Sequence, residues 1–384
     1  MQYPRVKLGD IYEIVGGGTP SIHKDDYYGG NIPWATVRDM NCKVISSTER
    51  TITDKGLKES ASNIIPAGNL IIATRVGLGK VCYISQDTAI NQDLKGLIPK
   101  SSKICKDFTY YWLLAASDYI ISNGIGATVK GVKLGFITNL KIPLPPLCVQ
   151  QEIVARLEKE LAKVDEMAES FKRMAELADE EFKSVLSEIF EHLEGKKVKL
   201  GDIADVYDGD HQPPPQVEKG IPFLVISNVA DGRLNFENTR KVPRQYYDSL
   251  SLNRKPQLND LLLTVTGSYG IPVKVDVKRE FCFQRHIALI RTTKLQLDFL
   301  FYFMKSKKSQ QYFDKVATGT AQKTVSLSAL RNMLIIYPKD EIQLSISKYA
   351  DSAYKNYLLK KDYIYKGISL CSELRKSILQ EAFS

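Results

Sequence analysis

The chain has 384 residues, of which 43% are apolar and 25% charged, and its formal net charge at pH 7 is +9. This length favours two domains over a single core, and the sequence shows neither a bilayer-spanning apolar run nor a signal-peptide pattern. The six cysteines and four histidines are scattered without a C-x-x-C pair, which disfavours a zinc ribbon, a disulfide framework and a metal site.

The first predicted element is a mixed α/β domain over residues 1–145, called head 1 below. β-type runs at Asn69–Thr74 and Lys80–Ile84 are separated by glycine and proline turns. Aromatic and aliphatic residues at helical spacing predict a helix over Phe108–Ser117. No regular alternation of strands and crossover helices is found, which argues against a doubly wound parallel sheet. Head 1 has 17 basic and 12 acidic side chains, a net charge of +5.

A long helix is predicted over residues 146–195, which carry a net charge of −7. Three prolines close head 1 just before it, and Gly195 is a suitable residue for its end. Apolar residues then recur in steps of four and three, the pattern of a coiled-coil seam. The seam residues are Leu157, Leu161, Val164, Ala168, Phe171, Ala175, Ala178, Phe182, Val185 and Ile189. A helix from residue 149 to residue 190 would be about 60 Å long.

The next element, predicted over residues 196–340 and called head 2, repeats head 1. Val198–Ile203 is identical to Val6–Ile11, and further matches keep the same order to the end of each half. The repeat predicts strands at Leu261–Val265 and Ile287–Arg291, and a helix over Leu297–Lys308. Head 2 has 23 basic and 14 acidic side chains, a net charge of +9.

Aligning the two heads pairs individual polar residues. Identity matches Gln92 with Gln284 and Lys130 with Lys323, and places Arg38 opposite Ser227 and Asp93 opposite Arg285. A lysine shared by both copies suits a role common to the two heads, whereas positions that differ suit roles in which the heads are distinct.

A second long helix is predicted over residues 341–384, with a net charge of +2. Its seam is interrupted by Lys360 and Gly367 and consists of Ile346, Ala350, Ala353, Tyr357, Ile364, Cys371, Leu374 and Ile378. If the two helices pair, the order head–helix–head–helix requires them to run antiparallel, with the two halves related by a pseudo-twofold axis. The alternative is that each apolar stripe packs against its own head. The predicted fold class is therefore α/β (α+β), with two globular mixed domains and an antiparallel coiled coil.

Both heads are basic and the segment between them is acidic. Basic surface attracts polyanions, and this attraction supplies most of the non-specific affinity for nucleic acid. The charge distribution therefore favours DNA binding by the heads, although a basic, solvated surface is an alternative.

Several short stretches resemble the specificity subunit of type I restriction–modification systems, and the resemblance covers essentially the whole chain. The most specific is the proline exit at Ile142–Leu147, which leads into a helix that opens with Gln150–Ile153. The others are Leu8–Asp10, Gly17–Ser21, Ile32–Trp34, Asn91–Gln92 and Gly131–Leu134. The second half departs from this pattern: it has Tyr337–Pro338 where the first half has Leu144–Pro145, and it lacks the double proline. It also has Asp208–His211 in place of the triple glycine.

In that family each head is a target recognition domain that reads one half of a bipartite DNA site. The resemblance implies that the helix pair sets the spacer between the halves. It also implies that the partners are double-stranded DNA, two methyltransferase subunits and motor–nuclease subunits. The scattered cysteines favour a reducing cytoplasm, and no membrane is expected as a partner. S-adenosylmethionine, ATP and Mg are expected on those partner subunits, and no cofactor is expected on this chain.

Candidate DNA-binding residues are polar, basic or aromatic side chains in turns. Arginine suits guanine edges, asparagine and glutamine suit adenine edges, and lysine suits phosphates. In head 1 the candidates are Thr19, Ser21, His23, Lys24, Tyr27, Arg38, Arg75, Lys80, Asn91, Gln92, Lys130 and Lys133. In head 2 they are His211, Gln212, Lys219, Ser227, Asn228, Arg233, Ser268, Tyr269, Gln284, Arg285, His286, Gln322 and Lys323. For subunit docking on the helix seam the candidates are Leu161, Val164, Phe171, Phe182, Tyr357 and Leu374.

The sequence lacks the signatures of an enzyme. No Asn/Asp-Pro-Pro-Tyr/Phe sequence of an adenine methyltransferase is present, and Gly77–Lys80 is followed by valine rather than the Ser or Thr of a phosphate-binding loop. A non-catalytic DNA-recognition subunit is the favoured interpretation. The alternatives are a stand-alone methyltransferase or nuclease fragment, and a coiled-coil scaffold with two protein-binding heads.

Overall fold

The computed structural model describes residues 3–126, 128–210 and 214–384. The chain divides into two compact units. Unit 1 comprises Met1–Phe171 with Lys366–Ser384, and unit 2 comprises Lys172–Tyr365. Along the described residues, no helix combines the length and the apolar character needed to cross a lipid bilayer.

The elements of the first half end with a long helix. Its strands are β1 (Arg5–Lys7), β2 (Tyr12–Gly16), β3 (Tyr28–Ala35), β4 (Val44–Ile45), β5 (Arg50–Ile52), β6 (Asn63–Ile65), β7 (Leu70–Ala73), β8 (Val81–Ile84), β9 (Thr88–Ile90), β10 (Leu94–Pro99) and β11 (Lys141–Pro143). Its helices are α1 (Leu8–Ile11), α2 (Asp54–Lys58), α3 (Lys106–Ala115), α4 (Ser117–Ser122), α5 (Leu134–Thr138) and α6 (Leu147–Glu191), with 3-10 turns at Asp25–Tyr27 and Val37–Asp39.

The second half repeats this order. Its strands are β12 (Lys196–Lys199), β13 (Asp205–Asp208), β14 (Ile221–Leu224), β15 (Arg240–Val242), β16 (Leu261–Thr264), β17 (Pro272–Lys274), β18 (Cys282–Phe283), β19 (Ile287–Arg291) and β20 (Leu334–Tyr337). Its helices are α7 (Leu200–Ile203), α8 (Arg244–Ser249), α9 (Leu297–Lys305), α10 (Lys307–Val316), α11 (Leu327–Asn332) and α12 (Asp340–Ala382), with 3-10 turns at Ile226–Asn228 and Leu252–Arg254.

Head 1 has a central sheet with the strand order β2-β10-β7-β8-β4, in which only the β4–β8 pair is parallel. Strand β7 is a continuous apolar run because both faces of the sheet are covered. Leu70 and Ile72 pack with α3 on one face, whereas Ile71 and Ala73 pack towards a second sheet, of order β5-β3-β9-β6, on the other. A third sheet pairs β1 with β11.

Head 2 has the same layers. Its central sheet has the order β13-β19-β16-β17 and is antiparallel throughout, and β15-β14-β18 forms the second sheet. Leu261 and Leu263 pack with α9, and Leu262 packs with Phe281 and Phe283 on the opposite face. The predicted mixed α/β heads and the internal repeat are thereby confirmed.

One predicted helix of head 2 is too long. The segment Leu297–Lys308 was expected to form a single helix, but α9 ends at Lys305 and α10 begins at Lys307. Ser306 separates them because its backbone is extended and its hydroxyl accepts a hydrogen bond from the backbone N–H of Ser309, which caps the start of α10.

Each long helix begins with a buried glutamine that binds its own head. The Oε1 of Gln150 accepts a hydrogen bond from the backbone N–H of Cys105 at 2.9 Å, and its Nε2 donates to the carbonyl of Pro145 at 2.9 Å. Gln343 does the same at the start of α12, where it bonds Gln296 N–H and the Pro338 carbonyl, each at 3.0 Å. Since both side chains are buried, these bonds fix the direction in which each helix leaves its head.

Within unit 1, the start of α6 packs against the end of α12. Asp165 is bonded to Arg375, and a Cβ on Gly367 would lie 2.4 Å from the ring of Phe171. Residue numbers rise along one helix as they fall along the other, which is the predicted antiparallel pairing. Gly367 interrupts the apolar seam of α12 in the sequence, and its missing side chain leaves room for the ring of Phe171.

Within unit 2, the end of α6 packs against the start of α12 in the same sense. The rings of Phe182 and Tyr357 stack with centroids 5.0 Å apart. Asp179 accepts hydrogen bonds from the hydroxyl of Tyr357 at 2.7 Å and the amine of Lys361 at 2.9 Å, and Lys360 pairs with Glu181. Lys360, the other apparent interruption of the seam, therefore contributes an ion pair between the helices.

The alternative packing of the stripes is also realised at the helix ends. Leu157 and Leu161 of α6 belong to the core of head 1, and Leu186 and Phe190 belong to the core of head 2. The two stripes are thus covered by the partner helix and by the heads together.

The Asp179 cluster gives a prediction about stability and pH. Burial raises the pKa of the Asp179 carboxyl, but the hydrogen bonds from Tyr357 and Lys361 outweigh burial and hold that pKa below its ordinary value. Folding therefore favours the carboxylate, whose contribution is present above the ordinary aspartate pKa of about 4 and is lost as the pH falls through the lowered pKa. We expect Asp179→Asn to lower the free energy of unfolding at pH 7 by about 1 kcal/mol.

Denaturant unfolding at several pH values measures this effect. The deficit of Asp179→Asn should shrink below pH about 4, because the wild-type carboxyl is then protonated as well. Glu180→Gln, at the exposed neighbouring position, is the control and should leave stability unchanged. An equal stability of wild type and Asp179→Asn at pH 7 would contradict the assigned role.

Candidate DNA interface

Three loops of head 1 meet beside the end of strand β7. The backbone N–H of Thr74, the first residue after β7, donates to the carbonyl of Asp93 at 2.7 Å, and its hydroxyl donates to the same oxygen at 3.0 Å. The carbonyl of Thr74 accepts a hydrogen bond from Val132 N–H at 2.8 Å. The turn at 75–80, the loop at 91–93 and the hairpin that is closed by Ile125 and Gly131 are therefore held together. We call this arrangement the three-loop junction of head 1.

Head 2 builds the same junction at the end of β16. Val265 N–H donates to the carbonyl of His286 at 2.9 Å, and Val325 N–H donates to the carbonyl of Val265 at 2.8 Å. Gly267 N–H also donates to the carbonyl of Lys323 at 3.0 Å. Because the bonds are made by the backbone, the junction can be kept while its side chains change.

The hairpin of each junction carries an exposed lysine. Ile125 and Gly131 exchange backbone hydrogen bonds of 2.9 and 3.0 Å, and Thr318 and Thr324 do so at 3.0 and 2.8 Å. Lys130 and Lys323 precede Gly131 and Thr324 and are both exposed. The two lysines thus occupy equivalent positions, as the sequence alignment predicted.

A glycine lets the loop after β2 cross the junction closely. A Cβ on Gly17 would lie 2.1 Å from the carbonyl oxygen of Asn91 and 2.3 Å from that of Ile90. In the same way, a Cβ on Gly209 would lie 2.3 Å from the carbonyl oxygen of Phe283. Up to Asp210 the loop of head 2 resembles that of head 1, since Gly18 N–H and Asp210 N–H donate to the carbonyls of Ile90 and Phe283 at 3.0 Å each.

Strand register corrects one part of the alignment between the heads. Asn91 N–H donates to the carbonyl of Ala35, and Gln284 N–H donates to that of Leu224, at the same place beside the parallel pairs β3–β9 and β14–β18. Asn91 therefore corresponds to Gln284. It follows that Gln92 corresponds to Arg285 and Asp93 to His286, so the pairings of Gln92 with Gln284 and of Asp93 with Arg285 were wrong by one residue.

Comparison with known proteins decides the family. Residues 2–169 and residues 193–367 both match the model of the type I restriction modification DNA specificity domain. The chain belongs to this family. Its function is therefore DNA specificity within a type I system and not catalysis, as the sequence predicted.

Two curated relatives illustrate the range of similarity. The type I restriction enzyme MjaIX specificity subunit of Methanocaldococcus jannaschii is 25% identical over 367 residues, which cover 88% of this chain and 83% of that protein. The EcoR124I/EcoR124II specificity subunit of Escherichia coli is 30% identical over 182 residues, or 46% of this chain and 45% of that protein.

Solved structures share the fold. A chain from a structure concerned with complex assembly and conformational transition of the type I R-M system has a TM-score of 0.73 at 18% identity, and covers 100% of this chain and 97% of that one. The HsdS subunit from Thermoanaerobacter tengcongensis has a TM-score of 0.50 at 19% identity, with 100% and 96% covered.

In this specificity subunit, several predicted DNA-binding residues of head 1 lie around the junction. Arg75, Gln92 and Lys130 are exposed on its three loops, and Arg38 lines an adjoining groove with Asn91 and Asp93. The hydroxyl of Thr19 is bonded to Gln92, which brings the loop after the glycines to the same place. The other predicted residues of head 1 that are exposed are Ser21, His23, Lys24, Lys80 and Lys133.

Two predicted residues of head 1 are committed to internal contacts. Tyr27 is 2% exposed, and its hydroxyl is bonded to Glu59. The side chain of Asn91 is 7% exposed and bonds Asp93 at both ends, since its Oδ1 accepts from Asp93 N–H and its Nδ2 donates to Asp93 Oδ2. These side chains shape the loops, and their polar atoms are already engaged in hydrogen bonds within the head.

In head 2, the junction groups a second set of predicted residues. Arg285, His286 and Gln322 line one shallow pocket, with Lys323 and Gln284 on the same loops. Burial, followed by the neighbouring guanidinium of Arg285, lowers the pKa of His286. The imidazole is therefore neutral at pH 7, with one nitrogen able to donate and the other able to accept a hydrogen bond.

Other predicted residues of head 2 are placed elsewhere. Asn228 is 9% exposed and caps a 3-10 turn by accepting from Val225 N–H. Arg233 lines a different groove, beside Tyr354 of α12, and the hydroxyl of Tyr269 donates to Asp314. Lys219, Ser227 and Ser268 are exposed. His211 and Gln212 lie outside the described residues.

A basic position shared by both heads was missed. Arg50 on β5 is paired with Trp34, and Arg240 on β15 is paired with Phe223, so the two arginines occupy equivalent places. Arg50 lines the groove beside Arg38. A repeated basic residue could have revealed this position once the two strands were aligned.

The glycine crossing yields a prediction with a matched control. Gly17→Ala should lower the free energy of unfolding by about 2 kcal/mol or more, because the added Cβ collides with two backbone carbonyls that cannot rotate away. Gly16→Ala should be nearly neutral, since a Cβ there would meet nothing within 4 Å. Thermal or denaturant unfolding of the two variants measures the difference. Equal stabilities would show that the loop can move aside.

Proposed function

We propose that each head of this specificity subunit reads one half of a bipartite duplex DNA target. The observation that carries the proposal is the three-loop junction, which has the same backbone in both heads and different polar side chains. Gln92 and Asp93 of head 1 correspond to Arg285 and His286 of head 2. Base edges differ in their donors and acceptors, so such a change suits two different half-sites. Lys130 and Lys323 suit phosphate contacts common to both halves.

The antiparallel helix pair supports a further role in setting the spacer between the halves. Its length is fixed by the backbone hydrogen bonds of α6 and α12. The buried amides of Gln150 and Gln343 hold each helix to its own head. We infer that the spacer length follows from the helices and not from the loops that contact bases.

We also propose that methyltransferase and motor–nuclease subunits assemble on this chain in the cytoplasm. S-adenosylmethionine, ATP and Mg would bind to those subunits. A solved relative belongs to a type I R-M system whose complex assembly was determined, and this supports the proposal. Among the described residues, no group of three or more His, Cys, Asp or Glu side chains could hold a metal ion.

The surface for those subunits differs from the one predicted from the sequence. Of the six seam residues, Leu161, Val164 and Phe182 are at most 8% exposed, and Phe171 and Tyr357 are partly buried in the helix pair. Their apolar surface is used within this chain. Leu374 is 41% exposed and is the member that remains available.

An apolar stripe on α12 is the better candidate for subunit docking. Leu370 and Leu374 are 64% and 41% exposed. Their spacing of four residues, about one turn, places them on one face of the helix. Exposed apolar stripes of this kind mark protein contact sites.

Exchange of one head tests the modular reading of DNA. Residues 1–145 are replaced by the first head of another specificity subunit, and the methylated sites of a host that carries the assembled system are sequenced. We expect one half of the target to change while the other half and the spacer length stay the same, because head 2 and both helices are unaltered. A target that stays the same in both halves would contradict the assignment, and so would a target that changes in both halves.

Substitution in the apolar stripe tests docking. The double variant Leu370→Ser/Leu374→Ser should weaken binding of methyltransferase subunits at least tenfold, because it removes two exposed leucines from the contact. Leu252→Ser is the matched control, since Leu252 is 72% exposed but lies in head 2. Size-exclusion chromatography and titration of the subunits measure the effect. Full binding by the double variant would place the docking surface elsewhere.

A further inference from the structure

One carboxylate oxygen in head 1 is buried without a hydrogen-bond donor. Asp93 is 9% exposed, and its Oδ2 accepts from the amide of Asn91 at 3.4 Å. Its Oδ1 accepts no hydrogen bond from any residue that the structure describes. The Nη1 of Arg75 is 3.6 Å from that oxygen, beyond hydrogen-bond distance. Buried acceptors without donors are rare in native proteins, because they lose their hydrogen bonds to water on folding.

Asp93 lines a groove of about 330 Å³ that holds both basic and acidic side chains. Its other charged residues are Arg38, Arg50, Asp39 and Glu49, and Arg38 is paired with Glu49 at 3.8 Å. A phosphate would be attracted by the two arginines but repelled by the three carboxylates. The groove beside Asp93 therefore calls for a group that donates a hydrogen bond and carries no negative charge.

Duplex DNA offers few such groups. In the major groove the donors are the N4 amine of cytosine and the N6 amine of adenine. Adenine also presents its N7 acceptor beside the amine, which a carboxylate would repel, whereas cytosine presents the amine alone. The guanine paired with that cytosine presents two acceptors, O6 and N7, which match the guanidinium of Arg75. Asp93 and Arg75 together suit one C·G pair.

We propose that Asp93 is a base-reading residue of head 1, whose Oδ1 accepts a hydrogen bond from the N4 amine of a cytosine in the first half of the target. Arg75 contacts the guanine of the same pair. His286 lies at the equivalent position in head 2, so the two heads offer different hydrogen-bonding groups to the bases at corresponding positions. The inference rests on the proposed function, because it requires head 1 to contact DNA.

The test uses the full chain assembled with its methyltransferase subunits, after the wild-type target has been read from methylated sites. Asp93→Asn keeps the size of the side chain but removes its charge and replaces an acceptor by a donor. At one position of the first half, the preference for cytosine should fall about tenfold, with the second half unchanged. Asp54→Asn, an exposed carboxylate on α2, is the control and should change neither half.

A change on the DNA side isolates the contact. Each cytosine of the first half is replaced in turn by the pyrimidin-2-one nucleoside, which lacks the 4-amino group. Wild-type complex should lose about tenfold in affinity at one position, and Asp93→Asn should lose nothing further there, because the two partners act through one hydrogen bond. Thermal unfolding checks the variant, and Asp93→Ser takes its place in this comparison if Asp93→Asn does not fold.

Each other outcome overturns the proposal. An unchanged first half in a folded variant would show that the carboxylate does not read a base. A change at an A·T pair would assign the contact to adenine, and uniform weakening across the first half would make Asp93 a positioning residue for its loop. A wild-type complex whose methylated sites are not bipartite would instead refute the proposed function itself.

Discussion

A buried side-chain amide joins each head to its long helix, and the orientation of each head on its helix depends on that joint. Gln150 and Gln343 lie in the first turns of α6 and α12, and each bonds the N-cap residue of the head's main helix and the carbonyl of a preceding proline. Apolar contacts are non-directional, so they would let a head rotate on its helix. The hydrogen bonds are directional and buried, and they remove that freedom. The proline that precedes each long helix is therefore one half of a joint whose other half is the glutamine.

The three-loop junction separates the support of the site from its chemistry. Backbone hydrogen bonds at Thr74 and Val265 hold equivalent loops in both heads, and Gly17 and Gly209 allow another loop to cross them closely. The backbone supplies the bonds that are common to both heads, so the side chains at 92–93 and 285–286 can differ. A DNA-specificity subunit gains from this division, because a new target can arise by substitution without a new fold.

The elements were predictable where a periodic pattern causes them, and the site was predictable only in part. The seams of α6 and α12 and the apolar strands at Leu70 and Leu261 follow directly from spacing. The register between the two heads does not follow from spacing. Sequence identity aligned Gln92 with Gln284, whereas the strand pairing aligns Asn91 with Gln284. Tyr27, Asn91 and Asn228 were chosen for their chemistry, yet each is buried and bonded within its own head. Burial is a property of the tertiary fold, so residue type could not reveal it.

The antiparallel return of α12 makes unit 1 discontinuous in sequence. Leu379 lies in the core of head 1, and the ring of Phe383 packs on that of Phe108 with centroids 5.2 Å apart. During synthesis, part of the apolar surface of head 1 therefore stays exposed to solvent until residues 366–384 have emerged from the ribosome. Unit 2 is one continuous stretch and can close earlier. The half of the molecule that is translated first is thus the half that completes its core last.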